Sequence, residues 1–194
     1  MNKGADTLVI EPMILSFIVA KLRKGKFRNL EKIEIKAWYL LLIAAGIQII
    51  LSIIKNYGII LNNVFFYLHI LSYILMIICI ILNLNRNSMK AFLIGVVLNF
   101  IVIFSNGGKM PVSLHGIKGI DNSISTELQT SDFDIKHQVI NQNTKLVYLS
   151  DILLIPKPYP IRKIFSVGDI FIMIGLFIFI QEAMVIDEKN KSQL

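Results

Sequence analysis

The amino-acid sequence predicts an all-α integral membrane protein, a bundle of about five transmembrane helices with one long extracytoplasmic loop region. Two observations support this fold class. Hydrophobic residues make up 55% of the 194 residues and charged residues only 17%, and the mean hydropathy is +0.65. Apolar segments also recur along the chain, whereas a soluble domain of this length would carry more surface charge. We therefore interpret residues 1–194 as a single membrane domain.

The predicted spans follow from the lengths of the apolar segments. Crossing the hydrocarbon core of a bilayer takes about 20 residues. One segment, roughly 7–22, is shorter and carries Glu11 and Pro12 in its first turn, where proline is tolerated. We count it as a span, and without it the number falls to four. The other predicted spans are roughly 37–54, 59–82, 88–105 and 169–186.

The distribution of basic residues predicts the orientation of these helices. Seven lysine and arginine side chains lie between residues 21 and 36, and such density beside span ends is typical of a cytoplasmic loop. Alternation of the spans then places the loop region 106–165 on the extracytoplasmic side. Membrane topology thus explains much of the formal net charge of +7. We expect the cell membrane as the location and the lipid bilayer as the partner, and no nucleic acid.

The sequence predicts neither a metal site nor a cofactor. Cys79 is the single cysteine, so neither an internal disulfide nor a cluster of thiolate ligands can form. Histidines 69, 115 and 137 lack the spacing of metal ligands. His69 and Asn99 lie within predicted spans, where we expect their side chains to make contacts between helices.

Two aspartates in the last quarter of the chain are the candidate catalytic residues. Asp169 directly precedes the uncharged run from Ile170 to Ile180, and Asp151 has apolar neighbours from Ile152 onward. A carboxylate at the edge of the hydrocarbon is costly to keep ionised and is a candidate functional residue for that reason. Two such acids on one side of the membrane are suited to hydrolysis, because one can hold a proton while the other activates water.

A structural role is open for the same region. Ser166 and Asp169 form a Ser-x-x-Asp pattern before an apolar run, which is typical of a capping box at a helix start. Asp169 would then satisfy free backbone N–H groups. In the functional interpretation, Ser166 contributes to substrate binding beside the catalytic acid.

The end of the fourth predicted span offers further candidate substrate-binding residues, Asn106, Gly107 and Gly108. Paired glycines let the backbone approach a substrate closely, and Asn106 supplies an amide at membrane depth. The same three residues are also typical of a helix C-cap followed by a turn. The sequence leaves both interpretations open.

Taken in order, these motifs resemble an uncharacterised family of bacterial multi-pass membrane proteins, known only as a domain of unknown function. The resemblance covers most of the chain and implies membrane residence without an assigned activity. Its motifs here are Lys-Leu-Arg-Lys-Gly-Lys after the first apolar segment, Asn106-Gly107-Gly108-Lys109-Met110-Pro111, Thr144-Lys145-Leu146, Leu149-Ser150-Asp151 and Phe165-Ser166-Val167-Gly168-Asp169.

The last third of the chain also resembles, more distantly, the C-terminal half of the lipoprotein signal peptidases, which are aspartyl membrane enzymes. The resemblance places Asp151 and Asp169 at the two catalytic aspartates of that family and Asn106 at its active-site asparagine. Ser166 stands where that family has the asparagine of Phe-Asn-x-Ala-Asp, and the loop between Asn106 and Asp151 is much longer here. The resemblance implies an aspartyl peptidase at the outer membrane face.

Two functions from different classes therefore remain open. The first is an aspartyl intramembrane hydrolase whose substrate is a membrane-inserted peptide or a lipidated protein segment. The second is a non-catalytic membrane component, such as a binding or accessory subunit of a transporter or envelope complex. In that case Asp151 and Asp169 would cap helices and fix the long loop.

Overall fold

A computed structural model of the chain describes residues 7–53, 58–113, 136–155 and 163–185. Helices dominate these residues, and their bounds lie within two residues of the five predicted apolar segments. Hydropathy alone thus located the five α-helices among the described residues. The helices are α1 (Thr7–Leu22), α2 (Trp38–Ile53), α3 (Gly58–Leu82), α4 (Asn87–Ser105) and α5 (Val167–Met184).

Three of the described helices are long and apolar enough to cross a membrane. They are α4, α5 and the part of α3 from Asn63 to Leu82. Helix α2 is apolar but has only 16 residues, which corresponds to about 24 Å and falls short of a hydrocarbon core of about 30 Å. The predicted helical fold with helices able to cross a membrane is confirmed, whereas the predicted number of about five spans is not.

Exposed apolar side chains on the helices agree with association with lipid. Leu42 and Ile53 of α2 are 60% and 72% exposed, and Ile94 of α4 is 45% exposed. A soluble protein rarely leaves so much contiguous apolar surface in water, because such surface drives aggregation. In a bilayer the same side chains contact lipid tails.

Helices α4 and α5 pack closely because glycines face each other across the contact. A Cβ atom added to Gly95 would lie 2.6 Å from the carbonyl oxygen of Gly168, and one added to Gly168 would overlap the side-chain oxygen of Asn99. About two helical turns further along α5, a Cβ on Gly175 would lie 3.0 Å from the ring of Phe92. Small residues allow such close approach of helices in membranes. This packing sets Asn99 against the first turn of α5.

Short strands connect α4 to α5 within the described residues. Strands β1 (Met110–Val112) and β2 (His137–Val139) are parallel, and β3 (Leu153–Ile155) and β4 (Lys163–Phe165) are antiparallel. On the side of β1 away from β2, Val112 forms a single bridge with Asp151. We call this end of the bundle, with Asn106 to Val112, residues 136–155 and the first turn of α5, the aspartate end.

The opposite end of the bundle contains residues 21–36 and the C-terminus of α5, and we call it the basic end. Its 3₁₀ turn, Phe27–Lys32, lies against α5. The Lys26 N–H and the Asn29 side-chain amide both donate to the Met184 carbonyl, at 3.1 and 2.7 Å. Glu182 of α5 caps α4 by accepting hydrogen bonds from the Asn87 N–H and from the Ser88 N–H and hydroxyl.

Candidate functional site

The first turn of α5 holds Asp169 in a closed set of hydrogen bonds. The Ser166 N–H donates to Asp169 Oδ2 at 2.9 Å, and the Asp169 N–H donates to Ser166 Oγ at 3.0 Å. Asn99 Nδ2 donates to Asp169 Oδ1 at 2.8 Å, and the Ser166 hydroxyl donates to Asn99 Oδ1 at 2.9 Å. The capping box that the Ser-x-x-Asp pattern indicates is therefore present. Both oxygens of Asp169 act as acceptors, as those of an ionised carboxylate do.

Backbone hydrogen bonds fix Asp151, whereas one oxygen of its side chain has no hydrogen-bond partner in the described part of the chain. Its N–H donates to the Pro111 carbonyl and its carbonyl accepts from the Ser113 N–H, both at 2.9 Å. The Oδ1 atom is buried and has no hydrogen-bond partner among the described residues. Burial, followed by the negative charge of Asp169, raises the pKa of Asp151 to about 7, and the charge of His137 acts in the opposite direction.

The two candidate acids lie at the same end of the bundle. The antiparallel register pairs Leu153 with Phe165, and these residues lie two positions after Asp151 and four positions before Asp169. The electrostatic effect of Asp169 on Asp151 follows from this proximity. Tyr73 of α3 also lies within electrostatic range of both carboxylates.

Asn106 uses its side chain to hold the backbone of a distant segment. Its Nδ2 group donates to the carbonyls of Val102 and Lys145, at 2.7 and 2.9 Å, and its Oδ1 accepts from the Lys145 N–H at 2.8 Å. A 3₁₀ turn, Val147–Leu149, follows and leads to Asp151. Asn106 thus ties the end of α4 to the segment that carries the first candidate acid.

The two glycines after Asn106 form a helix C-cap, which was one of the two interpretations that the sequence left open. Gly107 and Gly108 have φ of 74° and 87°, and the Gly108 N–H donates to the Ile103 carbonyl at 2.9 Å, as in a Schellman motif. The Gly108 carbonyl accepts from His69 Nδ1 at 3.1 Å, so His69 links α3 to this turn. Gly107 is exposed, and a Cβ atom there would meet no atom within 4 Å.

The other candidate substrate-binding residue, Ser166, is fully buried. Its hydroxyl both donates and accepts within the hydrogen-bonded set around Asp169. Of the four candidate substrate-binding residues, Gly107 alone is exposed, whereas Asn106, Gly108 and Ser166 have structural hydrogen bonds.

Two residues near the acids, Asn99 and Tyr73, were not among the candidate site residues. Asn99 was expected to contact another helix, and it does, but its partners are Asp169 and Ser166. Tyr73 carries no sequence signal, because an aromatic residue in an apolar helix is ordinary. It packs with Phe100 and Phe104 in an aromatic cluster under the site, with ring centroids 5.9 and 5.6 Å away.

No group of three or more His, Cys, Asp or Glu side chains in the described part of the chain is arranged to hold a metal ion. His115 lies outside the described residues. Cys79 is buried in α3, 1% exposed, and is remote in sequence from both acids.

Comparison with known proteins places the chain among proteins without an assigned activity. The sequence model of a family of unknown function, DUF5317, matches residues 32–181. The chain belongs to DUF5317. This DUF5317 member is 28% identical over 172 residues to an uncharacterized protein of Thermotoga maritima, and the match covers 89% of each chain. No solved structure matches.

These matches confirm the predicted resemblance to an uncharacterised family. The segment that matches DUF5317 contains α2 to α4 and most of α5, and therefore Asn99, Asn106, Asp151 and Asp169. None of the matches shows a relation to lipoprotein signal peptidases.

Proposed function

We propose that this DUF5317 protein is an aspartyl hydrolase, with Asp151 and Asp169 as its acid–base pair. The proposed substrate is a peptide bond in a membrane-inserted peptide or a lipidated protein segment. The proposal depends on one observation: two neighbouring acids have unlike environments. Asp169 accepts two N–H donors, whereas Oδ1 of Asp151 is buried without a partner among the described residues. Paired carboxylates in unlike environments can serve as the acid and the base of one reaction.

In the proposed mechanism Asp169 is the general base and Asp151 the general acid. Each oxygen of Asp169 has a second lone pair beyond its described hydrogen bond, so the carboxylate can accept a proton from water. The water oxygen then bonds to the substrate carbonyl carbon. Asp151, whose pKa is about 7, gives its proton to the departing amide nitrogen as the C–N bond breaks. A proton returns from Asp169 to Asp151 through solvent before the next cycle.

The candidate substrate-binding residues act as positioning residues in this proposal. Asn106 fixes the segment that leads to Asp151, and Ser166 and Asn99 fix the carboxylate of Asp169. If Asn106 orients the substrate carbonyl, as the resemblance to lipoprotein signal peptidases implies, its Nδ2 group must exchange the hydrogen bond to the Val102 or the Lys145 carbonyl for one to the substrate. Gly107 remains open for backbone contact with the substrate.

A non-catalytic membrane component is the second candidate function. The observation that favours it is that the same residues make hydrogen bonds that hold the fold together. Asp169 caps its own helix, and Asn106 holds Lys145. In this alternative the Oδ1 atom of Asp151, which has no partner among the described residues, has no chemical role.

Single substitutions of the two acids separate these functions. Membranes from cells that express the wild type, Asp151→Asn or Asp169→Asn are compared by mass spectrometry of new peptide termini in membrane proteins. The hydrolase predicts cleavage sites that depend on the wild type and that both variants lose at least about 100-fold. Glu182→Gln is the matched control, because it alters a capping acid at the basic end and should leave the cleavage sites intact.

Measurements of thermal stability distinguish a loss of catalysis from a loss of folded protein. Asp151→Asn removes a charge from a buried position without a change of shape, so the variant should melt no lower than the wild type at pH 8. Asp169→Asn weakens a helix cap and should lose about 1 kcal/mol. If Asp151→Asn retains all wild-type cleavage sites, or if the wild type produces none, the hydrolase proposal is wrong.

A further inference from the structure

Residues 21–36 concentrate the positive charge of the protein on a short surface. Seven basic and two acidic side chains give this segment a net charge of +5, against +7 for the whole chain. All seven basic side chains are exposed, so the charge faces outward. They are Lys21, Arg23, Lys24, Lys26, Arg28, Lys32 and Lys36.

Hydrogen bonds fix the backbone that presents these charges. Lys24 adopts a left-handed conformation with φ of 64°, and the next residue, Gly25, donates its N–H to the Ala20 carbonyl at 2.8 Å. A Cβ atom on Gly25 would lie 3.0 Å from Cβ of Met184, so the turn lies directly against the end of α5. Because the backbone is already ordered, an anion that binds here does not have to order the loop.

Exposed apolar side chains lie among these charges. Leu22 is 79% exposed, Phe27 is 51% exposed and Trp38 is 57% exposed. Lys21 Nζ lies 4.7 Å from the centre of the Phe27 ring, which places a cation and an aromatic ring side by side. Basic side chains interleaved with aromatic and aliphatic ones are typical of surfaces at the boundary between lipid headgroups and acyl chains.

The position of this surface in the fold favours a lipid partner. It adjoins the C-terminus of α5 through Met184 and the end of α3 through Asn83, and both helices are long and apolar enough to cross a membrane. A surface at the end of such helices lies level with the lipid phosphates. A soluble polyanion such as nucleic acid would neutralise the charges but would leave Leu22, Phe27 and Trp38 in water.

We propose that the surface formed by residues 21–36 and Trp38 binds anionic phospholipids, with Lys24, Lys26 and Arg28 contacting the headgroup phosphates. Arg23 contributes less, because its guanidinium already donates to Gln181 Oε1 at 3.0 Å. The attraction is electrostatic and therefore decreases with ionic strength. This site is independent of the proposed hydrolase activity, since it lies at the other end of the bundle.

The test measures binding of phosphatidylglycerol to the full-length protein in nanodiscs of phosphatidylcholine. Native mass spectrometry counts bound phosphatidylglycerol as its mole fraction rises. We expect the triple variant Lys24→Gln, Lys26→Gln and Arg28→Gln to bind it about 100-fold more weakly at low salt. Lys145→Gln, which removes an exposed charge at the aspartate end, should bind as the wild type does.

Thermal unfolding in nanodiscs of phosphatidylcholine alone checks that the triple variant is folded. Cys79 is buried and is the single cysteine, so a thiol-reactive fluorophore reports unfolding. Equal melting temperatures together with weaker phosphatidylglycerol binding support the site. The proposal is overturned if the triple variant binds phosphatidylglycerol as tightly as the wild type, or if the wild type does not prefer it over phosphatidylcholine.

A second arm separates a lipid surface from a general polyanion site. Phe27→Ser should weaken phosphatidylglycerol binding, because an apolar side chain at the headgroup boundary is lost, while the charge is unchanged. Tighter binding of single-stranded DNA than of phosphatidylglycerol vesicles, with no effect of Phe27→Ser, would overturn the assignment to lipid.

Discussion

The two ends of α5 use acidic side chains in different ways. At the basic end, Glu182 accepts hydrogen bonds from Asn87 and Ser88 and caps the neighbouring helix α4. At the aspartate end, Asp169 caps its own helix, but Asp151 beside it keeps one buried oxygen without a partner among the described residues. A buried polar group without a partner destabilises the fold, so its presence suggests a role other than architecture.

At both ends of the bundle, an asparagine side chain bonds to the N–H and the carbonyl of one residue in another segment. Asn83 at the end of α3 accepts from the Lys36 N–H and donates to the Lys36 carbonyl, both at 2.9 Å. Asn106 at the end of α4 brackets Lys145 in the same manner, at 2.8 and 2.9 Å. Because this pair of asparagine hydrogen bonds occurs at both ends, its role is structural. The feature that distinguishes the aspartate end is the pair of acids.

The largest expected effect is a pH-dependent stability that originates at the aspartate end. Asp151 has a folded-state pKa of about 7 against an ordinary value of 3.8, so between these values the folded state holds a proton that the unfolded state releases. Stability therefore falls as pH rises from about 4 to about 7, by at most about 4 kcal/mol. Asp151→Asn should remove this decline in thermal melts followed by circular dichroism.

Glu182→Gln is the control for the pH prediction, because it alters an acid at the other end. It should retain the decline of the wild type between pH 4 and pH 7. A decline that persists in Asp151→Asn would assign the pH dependence to another group.

The next effect concerns the close packing that sets Asn99 against Asp169. Gly95→Ala places a methyl group 2.6 Å from the Gly168 carbonyl oxygen, so α4 and α5 must separate, at about 1 to 3 kcal/mol. Gly46→Ala is the matched control in α2, since its Cβ would meet no atom within 4 Å. That control should stabilise the protein by about 0.5 to 1 kcal/mol, because alanine favours helix.

Thermal unfolding followed by the reactivity of Cys79 measures both glycine variants. Gly95→Ala should lower the melting temperature and Gly46→Ala should raise it. Equal melting temperatures for the two variants would show that the helices are not held as closely at Gly95 as the structure has them.

The smallest effect compares the two capping acids directly. Glu182→Ala removes the acceptor for the first N–H groups of α4, and Asp169→Ala removes the acceptor for the Ser166 N–H and Asn99. Each loss should destabilise the protein by about 1 kcal/mol, measured by thermal unfolding. Asp169→Ala should abolish hydrolysis, whereas Glu182→Ala should retain it. Equal hydrolytic activity of the two variants would favour the non-catalytic function.

Much of this fold could be predicted from the sequence because its signals are local. Runs of apolar residues located the five α-helices of the described residues, and the Ser-x-x-Asp pattern indicated the capping box at Ser166 and Asp169. The contact of Asn99 with Asp169, 70 positions away, has no local signal. Helices that are apolar all round do not show which face meets a neighbour, so their rotation depends on packing at Gly95 and Gly168.

The candidate site was predictable only in part for the same reason. Asp151 and Asp169 were selected by their apolar surroundings, which a sequence shows directly. The engagement of Asn106 with Lys145 depends on the path of the chain between them, which its polar composition does not determine. Sequence reasoning therefore left Asn106 as a candidate for either substrate binding or a helix C-cap, and its described hydrogen bonds hold the backbone.

Infrared titration of the carboxyl groups tests the pairing of Asp151 with Asp169 most directly. A protonated carboxyl group has a C=O band that disappears on ionisation. We expect the wild type to lose one such band near pH 7, Asp151→Asn to lack it, and Asp169→Asn to lose it at lower pH because the neighbouring charge is gone. A band for Asp151 that disappears near pH 4, or at the same pH in Asp169→Asn, would contradict the account.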